Sequence, residues 1–154
     1  MIGVELVLPF LARYRIELLE GPHYFGISRR FSWGRPLDPQ QEFVGGPAFA
    51  VWPDEGEPWI GAVDNEWGGA AFSDWPQRII GWPDERSICV VWAGGAHVIR
   101  ADEPTIVRKI DCDPITGLVI AAERHMIVFA DHDSLLPTDQ TASFGALRAW
   151  SGTG

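Results

Sequence analysis

Ile88-Cys89-Val90-Val91-Trp92-Ala93-Gly94-Gly95-Ala96-His97-Val98-Ile99-Arg100-Ala101-Asp102 is two short apolar runs on either side of a glycine pair. β-Branched and aromatic residues fill the runs, each about five residues long, the usual length of a strand. Gly94-Gly95 supplies the two positive-φ positions that the favoured hairpin turn requires. The segment reads as a β-hairpin ending on an aspartate.

The same pattern recurs on both sides. Trp82-Pro83-Asp84-Glu85 introduces this hairpin, Trp52-Pro53-Asp54-Glu55 stands 30 residues earlier, and a degenerate Asp111-Cys112-Asp113-Pro114 stands 29 later. After the first comes Trp59–Val63, a polar turn and Ala71-Phe72-Ser73-Asp74. After the last comes Leu118–Ala122, the turn Glu123-Arg124 and Ile127–Asp131. A shift of 29 lays Val90 on Val119, Val91 on Ile120, Val98 on Ile127 and Asp102 on Asp131. A third short run follows each of the first two hairpins, at Arg78-Ile79-Ile80 and at Thr105-Ile106-Val107, so each unit is expected to be a three-stranded meander. Leu118–Ala122 and Met126–Ala130 lack polar alternation, which predicts that the last hairpin is the innermost.

Outside these units, Val4–Leu8 and Arg13–Leu19 read as strands. Gly34–Pro47 reads as a loop, and Thr141–Trp150 as a strand or short helix before a frayed tail. The chain is expected to be a single domain over 1–154, with N-terminal strands and loop at 1–46, three hairpin units at 47–136 and a C-terminal element at 137–154. The expected fold is all-β, an antiparallel meander of tandem hairpin units of about thirty residues forming a sandwich or open barrel. The hairpin-per-unit pattern is loosely similar to propeller blades, so a propeller-like partial ring is the alternative. A blade usually has four strands, and three units close a ring poorly.

Composition narrows function. A hydrophobic fraction of 46% and a charged fraction of 21% fit a folded globular chain of 154 residues. The formal net charge of −9 argues against binding nucleic acid or an anionic membrane. No run approaches the length of a bilayer-spanning helix, and the N-terminus lacks the basic and small-residue features of a signal peptide. A cytoplasmic location is expected, with Cys89 and Cys112 as thiols rather than a disulfide or metal pair.

Hairpin topology puts the turn entering a unit and the turn leaving it at one end of the sheet. Asp54, Glu55, Asp84, Glu85, Asp111 and Asp113 occupy entering turns. Asp74, Asp102, Glu103, Asp131 and Asp133 occupy leaving turns. If the units pack side by side, these acids line one rim, partly neutralised by Arg78, Arg86 and Arg108. Such a rim would steer and dock a protein with a basic surface. Aspartate also favours turns for local reasons, because its carboxylate bonds nearby backbone amides. Trp75 and Trp82, each followed by proline, are the aromatic candidates for a partner or sugar, although rings packed over turns to seal the core explain them more simply.

No catalytic or cofactor motif stands out. His132 between Asp131 and Asp133 suggests a metal site, but alternate residues of an extended chain diverge from the one between them, so no metal is assigned. His97 and His125 are expected as surface residues flanking hairpin tips. The functions that remain are, in order, a non-enzymatic binding or inhibitory protein of immunity or antitoxin type that masks a basic partner, a carbohydrate or small-ligand module using exposed tryptophan, a metal-dependent hydrolase, and a structural subunit joined through open strand edges.

Overall fold

The computed structural model describes residues 4–19, 26–33, 47–63, 76–112, 114–132 and 134–139. Twelve strands account for their regular structure, with one 3-10 turn at Ala122–Arg124 and no α-helix. In chain order the strands are β1 (Glu5–Val7), β2 (Tyr14–Leu18), β3 (Arg30–Trp33), β4 (Ala48–Pro53), β5 (Trp59–Val63), β6 (Arg78–Gly81), β7 (Ser87–Trp92), β8 (Gly95–Arg100), β9 (Val107–Lys109), β10 (Gly117–Ala121), β11 (Met126–Ala130) and β12 (Leu135–Asp139).

They form three sheets: a first sheet in the order β2-β4-β5-β3, a central sheet β1-β6-β7-β8-β9 and a last sheet β10-β11-β12. Where strands consecutive in the chain pair, at β4–β5, β6–β7, β7–β8, β8–β9, β10–β11 and β11–β12, they pair antiparallel, as short hairpin connections require. The run Arg78-Ile79-Ile80 is not the third strand of the first unit as expected, but β6, which pairs with β7 in the central sheet. The N-terminal strands add a feature that the hairpin pattern does not predict. β1 joins β6 in parallel and β3 joins β5 in parallel, each at the edge of a sheet. The expected strand around 13–19 is β2, which pairs antiparallel with β4. β12 begins at Leu135, so it crosses the expected boundary at 136 and completes the last meander. The expected Ala71–Asp74 strand, the 34–46 loop and the element at 141–150 lie outside the described residues.

The β7–β8 turn sits one residue earlier than the glycine pair suggests. Trp92 pairs with Gly95, and the two residues between them, Ala93 and Gly94, have φ of 52° and 81°. Ala93 accepts this left-handed conformation with its methyl buried in the core, so packing offsets the steric cost.

Side-chain alternation divides the interior between the two faces of the central sheet. Ile79, Ile88, Val90, Trp92 and Ile99 pack with Phe49, Val51, Trp59 and Val63 of the first sheet. Ile80, Cys89, Val91, Ala96 and Val98 pack with Ile127 and Phe129 of the last sheet, against Leu118 and Ile120. The central sheet is thus covered on both sides, and every residue of β7 is buried. This reverses the expectation that the last hairpin is innermost. β10 and β11 are apolar on both faces, yet only one of those faces meets the central sheet, and Val119 on the other is 66% exposed.

The result is a layered sandwich, and none of the sheets closes into a barrel. A partial propeller is excluded by how the layers meet. Propeller blades stack front to back, whereas here matched positions face one another. The first turn is one residue longer than the second, so by cross-strand register Trp59, opposite Val51, matches Ile88, opposite Gly81, and both lie in one core. Cys89 and Leu118, matched by the shift of 29, lie in the other.

Candidate functional site

The second Trp-Pro-Asp-Glu turn is built by local hydrogen bonds. The Glu85 amide donates to the Trp82 carbonyl at 3.1 Å, and the Trp82 amide donates to the Ser87 carbonyl at 3.0 Å. Asp84 Oδ1 accepts from the amides of Arg86 and Ser87, each at 2.9 Å, and its Oδ2 accepts from the Ser87 hydroxyl at 2.7 Å. The carboxylate of Asp84 is therefore committed to holding its own turn. The first turn closes through Gly56, whose φ of 146° suits glycine.

One peptide joins the two turns. The Arg13 amide donates to the Glu85 carbonyl at 2.8 Å, and the Arg13 carbonyl accepts from the Asp54 amide at 2.9 Å. The leaving turn of the β7–β8 hairpin is fastened to the same assembly. The Ala101 amide donates to the Arg86 carbonyl at 2.9 Å, and the Ala101 carbonyl accepts from the Trp59 indole at 2.6 Å. Together these segments enclose a shallow cleft of about 180 Å³ lined by Arg13, Asp54, Glu55, Arg86, Ala101 and Asp102.

The cleft carries both signs of charge. Asp54, Glu55 and Asp102 are exposed, and so are Arg13 and Arg86. Arg100 holds Asp102 from below through two parallel bonds, Nε to Oδ1 and Nη2 to Oδ2, each 2.9 Å. That hydrogen bonding, aided by the charges of Arg100 and Arg86, keeps the Asp102 carboxyl below its usual range. Asp102 is thus ionised and fixed in direction, as a docking anion should be. The rim is not a continuous acidic band but acidic groups set among arginines.

Comparison with protein-family models, with curated proteins and with solved structures gives no match for this chain.

The structure brings together Asp54, Glu55, Asp84, Glu85 and Asp102 from the predicted rim, with Glu103 next to Asp102. It does not bring Asp111 or Asp131 to that end. β9 carries the chain back across the central sheet, so that the Ile110 amide reaches the Ala96 carbonyl at 2.9 Å and the Ile115 amide reaches the Gly94 carbonyl at 2.7 Å. Ile110 and Ile115 therefore stand beside the β7–β8 tip, and the last meander starts from the opposite end. Its leaving turn is at that end too, because the Thr116 amide donates to the Ala130 carbonyl at 2.8 Å. The extra crossing made by β9 inverts the third unit relative to the second. Asp131 is also spent locally, with Oδ1 accepting from the Ser134 amide at 2.7 Å and its hydroxyl at 3.0 Å. Asp74, Trp75, Asp113 and Asp133 lie outside the described residues.

Trp82 is fully buried, stacked on Phe129 with ring centroids 6.4 Å apart, and offers nothing to a partner. Of the two histidines expected at the surface, His97 departs from expectation and His125 does not. His97 is 7% exposed on β8, and burial, with the charge of Lys109 nearby, lowers its pKa to about 3. His125 is exposed, in a left-handed conformation, and stacks on Phe10 at 5.6 Å. Of the arginines expected to neutralise the rim, Arg86 is present, while Arg78 pairs with Glu5 on the neighbouring strand at 3.3 Å. Arg13 and Arg100 were not anticipated. Arg100 could have been found from its position two before Asp102 on one strand face. Arg13 lies outside the hairpin units and gives no local signal. Among the described residues no cluster of three metal-ligating side chains occurs.

Proposed function

We propose that this chain is a non-enzymatic binding protein that docks a partner with a basic surface through the end of the sandwich formed by the two Trp-Pro-Asp-Glu turns and Asp102. The observation that carries this is the Arg13 bridge. It fixes two charged turns from different sheets relative to each other, and preorganised charges bind without an ordering penalty. Asp54, Glu55, Glu103 and the oriented Asp102 would pair with basic groups. Arg13 and Arg86 would require acidic groups between them, so the partner would be patterned and not merely cationic. An inhibitory role, covering a basic active or nucleic-acid-binding surface, suits such a rim.

The test is capture of proteins from the native cell on the tagged chain and on Asp54→Arg/Glu55→Arg. A partner retained at low salt, released at high salt and lost by the double reversal is expected. A complex indifferent to the reversal would remove the rim from the proposal.

A further inference from the structure

We infer that the cleft between the turns takes a guanidinium and a carboxylate carried together, as on an arginine at a chain's C-terminus or an arginine beside an acidic residue. This rests on the reading of this end of the sandwich as a docking surface, and it names the group that enters.

Opposite charges line the cleft without joining one another. Elsewhere on the surface such charges have paired, Arg78 with Glu5 at 3.3 Å and Arg29 with Glu57 at 3.9 Å. In the cleft, among the described residues, the guanidiniums of Arg13 and Arg86 form no hydrogen bond or ion pair, and neither do the carboxylates of Asp54 and Glu55. The roots of these side chains are fixed by main-chain bonds. Arg13 is held at its amide by the Glu85 carbonyl and at its carbonyl by the Asp54 amide. Arg86 is held at its amide by the Asp84 carboxylate and at its carbonyl by the Ala101 amide. Both signs of charge therefore stand unneutralised on a set backbone. A ligand that bears both can pair with them without breaking a bond of the protein.

Size and donor geometry narrow the ligand. At about 180 Å³ the cleft is smaller than the roughly 300–1,000 Å³ of pockets that hold a whole small molecule, so it admits one side chain. Its carboxylates come from two turns, Asp54 and Glu55 from one and Asp102 from the other. A guanidinium spreads its donors in one plane and can bond carboxylates on two sides, which a compact ammonium does less well. Arg100 takes one bond to each oxygen of Asp102, and each keeps a second lone pair to offer. Arg13 and Arg86 are left for the ligand's carboxylate, which either can receive through two parallel bonds.

NMR titration of the isotopically labelled full chain with three probes tests this. Nα-acetyl-arginine carries both charges, its amide keeps only the cation, and Nα-acetyl-citrulline keeps only the carboxylate. Nα-acetyl-arginine should shift the amides of Asp54, Arg86 and Asp102 saturably in the millimolar range. It should bind about two- to fivefold more tightly than either other probe, the effect of one exposed ion pair. The Trp59 indole N–H should move with them, because it bonds the Ala101 carbonyl in the cleft wall. Arg13→Gln/Arg86→Gln should bring Nα-acetyl-arginine down to the level of its amide without weakening the amide. Two peptides, one ending on arginine and one with an internal arginine followed by aspartate, then assign the source by which binds more tightly. A chain that binds the amide as tightly as the acid recognises the cation alone and overturns the proposal. Shifts that rise linearly without saturating overturn it too. A partner lost on Asp54→Arg/Glu55→Arg would stand despite either result, so failure here is distinct from failure of the rim.

Discussion

The hydroxyl of Tyr14 donates to the main-chain carbonyl of Ser87 at 2.9 Å, a buried bond that ties β2 of the first sheet to the start of β7 in the central one. Ser87 is also the residue that Asp84 fastens, so the bond locks the turn to a strand 73 residues away in sequence. Tyr14→Phe keeps the ring and removes only the donor. It should cost about 1 kcal/mol in urea unfolding, since the Ser87 carbonyl still accepts from the Trp82 amide. Burial, with the charge of Asp84, pushes the phenol well above its ordinary value near 10. The folded chain therefore keeps a proton that the unfolded chain loses, and stability should fall as pH rises above about 10. In Tyr14→Phe that alkaline slope should be shallower, with the part that remains owed to other buried acids such as Cys89, whose pKa burial also raises.

Gly61 of β5 lies under three aromatic rings of the first sheet. A methyl carbon there would lie 2.7 Å from Cζ3 of Trp33 and 2.9 Å from both Cζ of Phe49 and Cζ3 of Trp59. These rings pack on one another, with Trp33 parallel to Phe49 and edge-on to Trp59, and have little room to yield. Gly61→Ala should destabilise the chain by about 1–3 kcal/mol, read as a lower denaturant midpoint with an unchanged slope.

What could be read in the sequence follows from how local each feature is. Ile88–Trp92 and Val98–Arg100 announced themselves because β-branched runs around glycine admit little else. The parallel edges β1 and β3 did not, since nothing in Glu5–Val7 says that its partner begins at Arg78. The acidic rim was half legible. Asp54, Asp84 and Asp102 share an end because single hairpins return to where they start, but β9 adds one crossing and sends Asp131 to the other end. Trp82 follows the simpler of its two readings: its ring packs inward and seals the core, which removes it as a candidate for a partner. Arg13, which joins the turns through its backbone, left no mark in its side-chain chemistry at all.

His97 makes stability sensitive to acid. Its folded pKa of about 3 lies below the ordinary 6.5, chiefly because burial penalises the charged form. Between those values the unfolded chain binds a proton that the folded chain refuses, so stability falls as pH drops below about 6.5. The contribution of this one group approaches about 1.4 kcal/mol per pH unit once the unfolded histidine is charged. Urea midpoints from neutral pH downward should fall more steeply for the native chain than for His97→Gln. Parallel curves would show that the imidazole titrates normally in the fold.

Glu85 closes the second Trp-Pro-Asp-Glu turn at φ of 66°, in the left-handed region that a side chain other than glycine's enters at a cost. The first turn meets a related demand one position later with Gly56. Glu85→Gly should relieve the strain and raise stability by about 0.5–1 kcal/mol, the gain reduced by glycine's greater freedom in the unfolded chain. The bonds that place the turn, from the Glu85 amide to Trp82 and from the Arg13 amide to the Glu85 carbonyl, are main-chain bonds and should persist. Because the substitution also deletes one rim carboxylate without moving the backbone, it separates two roles. A variant that is more stable yet holds a basic partner less tightly would assign Glu85 to docking. A variant that loses stability would mean that the side chain holds the turn, despite its strained backbone.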